Sequence, residues 1–133
     1  MKEMSDTMQS KREQFHFENK TWERLLDFFK QENAFLKTRL AEVLDQSSNR
    51  EFLAFAEQFQ SRFILNDEFI DELRHDINIQ ERKLKDNYIN NITLLDIRII
   101  KKQEKLRNEM AYMEKDFPQL KYEFNKYLIT ILR

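Results

Sequence analysis

The sequence predicts an all-α fold: an elongated, antiparallel up-down-up bundle of three helices with coiled-coil-like packing. Three observations carry this expectation. The 133 residues contain no glycine and one proline, Pro118, where an average chain of this length holds about nine glycines. Apolar residues recur at steps of three and four, the repeat of one helix face. Polar breaks that read as turns fall near residues 47 and 90.

The first helix follows from the heptad series Met1, Met8, Phe15, Trp22, Phe29, Leu36 and Val43, joined by Leu26 and Leu40. That is a helix seam rather than a strand alternation. Before Trp22 the stripe narrows, because Lys11, Arg12, Glu18 and Asn19 flank it. Thr21 is a possible cap for a separate start, so residues 1–20 read either as a continuation or as a weaker arm.

Asp45-Gln46-Ser47-Ser48 ends this helix. Ser48 with Glu51 three residues on forms a capping box ahead of Phe52. The second stripe runs Phe52, Ala56, Phe59, Phe63, Asn66, Ile70, Leu73, Ile77, Leu84, Tyr88, with a polar gap at Gln80-Glu81. The next break falls in Asp86–Asn91, because asparagine competes for its own backbone and favours turns.

The third stripe is Ile92, Leu95, Ile99, Leu106, Met110, Met113, Phe117, Leu120, Phe124, Tyr127 and Ile131. Pro118 lies inside it without a change of phase, which predicts a kink or a one-turn restart there. The β-branched run at Ile92–Ile100 is not read as a strand, since no second strand exists to pair with it. The segments 6–46, 48–88 and 91–132 then have matching lengths, each about 60 Å at the helical rise. Short connections make neighbours antiparallel, and residues 1–133 form a single helical domain. Exposed pairs such as Glu81–Lys85 and Glu123–Lys126 are expected to add little.

Composition excludes several classes of function. Without glycine there is no phosphate-cradling loop, dinucleotide fingerprint or nucleophile elbow. Without cysteine there is no disulfide, thiolate zinc site or thiol nucleophile. The 23 basic and 24 acidic residues leave a formal net charge of −1, so no overall field recruits nucleic acid or anionic lipid. No apolar run approaches a membrane span, and residues 1–20 do not read as a secretory signal. A cytoplasmic protein is expected, with no cofactor, metal, nucleic-acid or membrane partner.

Few side chains suggest chemistry. Glu72 and His75 have the Glu-x-x-His spacing of di-iron bundles, but both point well away from the local seam, and a metal site must face inward. His16 reads as an ordinary surface or edge histidine. Arg98, Lys101 and Lys105 share a face that Glu104 and Glu109 interrupt, the pattern of a solvated helix. Asn33, Asn66 and Gln103 fall on the seams, where buried polar groups fix register. With the turn near 47, Asn66 lies opposite residue 29, so Asn33 and Asn66 are not expected to be partners.

Leftover apolar surface is more informative. Phe28 and Phe35 lie about 100° around the first helix from Phe29, and Leu65 and Phe69 are similarly displaced on the second. Folding at the first turn is expected to bring these four together as a second apolar face. The apolar C-terminal turn, with Ile129 and Leu132, is a further candidate. The chain is therefore expected to be a non-enzymatic interaction module, pairing with itself as a homodimer or with another helical protein. A small apolar ligand bound in the phenylalanine-rich half is the alternative.

Overall fold

The computed structural model describes residues 2–46, 49–89 and 95–131, with side chains from residue 9 onward except at Ile89. Among the described residues there are three helices and no strand: α1 (Lys2–Asp45), α2 (Arg50–Ile89) and α3 (Ile97–Ile131). They pack as an antiparallel three-helix bundle.

Local chemistry explains the boundaries. Thr21 caps nothing; its hydroxyl donates to the carbonyl of Phe17 at 3.0 Å, a mid-helix back-bond, and α1 is continuous. The start of α2 is capped by Asn49, whose Oδ1 accepts from the Glu51 N–H at 2.9 Å. Ser48, the expected cap, lies outside the described residues. In α3 the cap is Asp96, whose Oδ1 accepts from the Arg98 N–H at 2.8 Å. The third helix thus begins at Ile97 rather than at 91, and residues 86–89 belong to α2. Asn87 does not break α2 because its Oδ1 accepts from the Arg12 side chain, at 2.8 Å from Nε, instead of competing for backbone. Ile92 lies outside the described residues.

Pro118 neither ends nor restarts α3. Pro118 and Glu114 are both exposed, so the carbonyl deprived of its bond faces solvent.

The chain divides into two compact units. The first comprises Met1–Leu26 and Glu72–Ala111; the second comprises Asp27–Asp71 and Tyr112–Arg133. Each takes a stretch from all three helices. The first buries Phe15, Trp22, Leu26, Leu73, Ile77, Leu84, Leu95, Ile99, Leu106 and Met110. The second is richer in aromatic rings: Phe63 meets Phe124 edge-on at 5.1 Å, Phe59 meets Phe124 at 5.3 Å and Phe29 meets Phe117 at 5.1 Å.

Two positions depart from the expected seams. Tyr88 is 61% exposed and Asn87 is buried in its place. Leu128 is buried and Tyr127 only partly so. The two departures differ. Gln80 is not a gap but a buried seam residue, and the alternation of three and four continues through it to Leu84 and Asn87. At Leu128 the alternation breaks instead, since the steps to and from Phe124 are both four.

Candidate functional site

The bundle follows a simple positional rule. On α1 and α2, the residue one step after a seam position faces the other of these two helices. The residue one step before faces α3. In the second unit four residues of the first kind form a charged cluster: Lys30 lies 3.1 Å from Asp71 and 3.4 Å from Asp67, and Lys37 also binds Asp67. Burial pushes the Asp67 carboxyl up, but hydrogen bonds from Lys37 and Asn33 outweigh it and hold the group below its ordinary value of 3.8.

Phe28, Phe35, Leu65 and Phe69 are of the second kind, and here the structure corrects the expected single face. Phe28 and Phe35 line a groove of about 430 Å³ with Lys121 of α3. Leu65 and Phe69 line another, of about 370 Å³, with Tyr112 of α3. Phe28 and Phe35 therefore lie on one flank of α3, and Leu65 and Phe69 on the other. The reason is geometric. One step back along a helix turns a side chain by about 100°. On antiparallel neighbours that step turns in mirror-image senses, so both residues enter the shared groove or both leave it towards the third helix. Charges could have decided the matter from sequence: Lys30 and Lys37, opposite Asp67 and Asp71, mark the shared groove.

The C-terminal candidates divide similarly. Ile129 is 62% exposed and lies one and two turns beyond Asn125 and Lys121, on the flank of Phe28 and Phe35. Leu132 lies outside the described residues.

Asn33 and Asn66 are partners, contrary to the sequence expectation: Asn66 Nδ2 donates to Asn33 Oδ1 at 3.1 Å. Asn33 Nδ2 donates to the Phe63 carbonyl at 2.8 Å and to Asp67 at 2.9 Å. Equal Cα height is too strict a test: an offset of about four residues is about 6 Å along the axis, which two amide side chains can span between them.

The first unit holds a second polar layer, with one residue from each helix. Gln103 Nε2 donates to Asn19 Oδ1 at 2.9 Å and Gln80 Nε2 donates to Gln103 Oε1 at 3.0 Å; all three residues are buried. From Asn19 the network runs outward, since its Nδ2 donates to Glu81 at 2.8 Å and Glu81 meets His16 Nδ1 at 2.6 Å. His16 is exposed, as expected of a surface histidine, and meets Glu81 at the outer end of this network. Glu81 and Glu123 do not form the expected pairs along one helix; Glu123 binds Arg62 of α2 at 2.6 Å.

The remaining candidates carry no inward chemistry. Glu72 and His75 are both exposed. Among the described residues no three His, Cys, Asp or Glu side chains stand together as a metal set. On the basic face of α3, Arg98 pairs with Asp96 at 2.8 Å and Lys105 with Glu109 at 3.8 Å; beside that face, Lys102 pairs with Asp76 at 3.2 Å and Arg107 with Glu18 at 2.7 Å. No described helix is long and apolar enough to cross a membrane.

Comparison with models of protein families, with curated proteins and with solved structures gives no match.

Proposed function

We propose that this chain is a non-catalytic helical association module that pairs with a second copy of itself through the α1/α3 flank of the second unit. The observation carrying this reading is the exposure of three large apolar side chains on that flank: Phe28 at 53%, Phe35 at 67% and Ile129 at 62%. Each such side chain gains roughly 1.5–3 kcal/mol on burial. The polar group beside them, Glu32, is already matched by Lys121 at 3.1 Å, so an opposing apolar surface strands no charge. A two-fold axis lets the flank meet its own copy and close the assembly.

The α2/α3 flank is the competing surface. Phe69 stands edge-on to Tyr112 at 6.1 Å, and Phe55 lies 5.6 Å from Tyr127, while Leu65, Tyr112 and Phe55 are 63%, 60% and 52% exposed. The ligand alternative is disfavoured because rings of the second unit fill space against each other at 5.1–5.3 Å. A non-catalytic role is supported by the engagement of Glu18, Asp67, Asp76 and Glu81 in contacts that join helices.

Paired variants test the choice of flank. Phe28→Glu with Phe35→Glu is expected to give a helical monomer, while Leu65→Glu leaves the dimer intact. Sedimentation velocity with circular dichroism reads both. The reverse pattern, or no change of mass in either variant, contradicts the assignment.

A further inference from the structure

We propose that the first unit carries a separate site for a free long-chain carboxylate, in a groove of about 580 Å³ between α1 and α2. That volume is in the range of small-molecule sites. Leu84, 5% exposed, forms part of its lining, and the largely exposed Tyr88 ring offers an apolar contact for a tail. Charge selects the head group. Lys85 occupies the same post-seam position on α2 that Asp67 and Asp71 occupy in the second unit, where each aspartate is met by a lysine of α1. Among the described residues Lys85 and the adjacent Arg82 have no ion-pair partner. The buried Arg12, held by Asn87, and Lys20, paired with Glu23 at 3.3 Å, are the other two cations of the lining. Of the two carboxylates there, Glu81 is engaged by His16 and Asn19; Glu13 is the other. The groove is therefore basic within a chain of net charge −1, and it joins an apolar contact surface to an excess of cations. A monoanion with a hydrocarbon tail satisfies both.

The site lies in a different unit from the self-association flank and stands independently of it. Calorimetric titration with decanoate below its micellar concentration tests it. Decyltrimethylammonium carries the same tail on a cationic head, and phosphatidylcholine–phosphatidylglycerol vesicles offer the anion as a membrane surface. Saturable binding of one decanoate per chain is expected, without competition from the cation. Arg82→Glu with Lys85→Glu should weaken it about tenfold or more, and Glu13→Gln should tighten it about threefold. Circular dichroism should be unchanged in both. The Phe28→Glu, Phe35→Glu variant should bind decanoate as the wild type does, which separates failure of one site from failure of the other. Absence of saturable binding, equal binding of the cation, binding to vesicles alone, or indifference to all three charge changes overturns the proposal.

Discussion

Asn33 makes hydrogen bonds with a backbone carbonyl, a carboxylate and an amide, all from α2, while fully buried. Such a residue matters more for what its loss leaves behind than for its own bonds. Asn33→Leu is expected to cost about 1–3 kcal/mol, because Asn66 is stranded in the core, and adding Asn66→Leu should recover part of that loss. Denaturant midpoints of the single and double variants check this. Asp67 sets an acid limit. Its folded pKa lies below the ordinary 3.8, so its contribution is present above that value and disappears as pH falls through the folded pKa. The stability difference between wild type and Asp67→Asn should accordingly hold at neutral pH and shrink below about pH 4. Phe59, buried against Phe63 and Phe124, should cost about 3–5 kcal/mol when replaced by alanine. The exposed His75 should cost less than about 0.5 kcal/mol. Equal midpoints for Phe59→Ala and His75→Ala would mean that the inner and outer faces of α2 are exchanged.

At the scale of the element, periodicity made the helices legible. The steps of three and four from Phe15 to Val43 and from Phe52 to Ile77 coincide with buried positions. It failed where polarity was mistaken for a break. Gln80 and Asn87 are seam residues whose Nε2 and Oδ1, respectively, find partners on other helices; a one-dimensional pattern does not contain those partners. The start of α3 at Ile97 was hidden for a similar reason, since Asp96 caps a helix in the midst of an apolar run. At Pro118 the unbroken phase predicts a kinked continuation or a restart, and α3 continues through it without restarting. Since the position is exposed and helical, Pro118→Ala should restore one backbone bond and stabilise the protein by about 1–3 kcal/mol. Thermal melts of that variant read the effect directly.

In the whole molecule, two units use one seam differently. Both carry a buried polar layer, Asn19–Gln80–Gln103 in the first and Asn33–Asn66 in the second, which specify how the helices are aligned. Outside the seam, the second unit places phenylalanine beside α3, and the first places unmatched cations beside a groove. Exposure of Phe28, Phe35 and Leu65 was legible from helical angle alone. Their division between two flanks was not, because it depends on the side from which α3 closes the bundle. Self-association through the flank bearing Phe28, Phe35 and Ile129 is tested most directly by sedimentation equilibrium of the wild-type chain at high micromolar concentration. A mass of twice 16.5 kDa is the predicted result, and a single species at the monomer mass would contradict it.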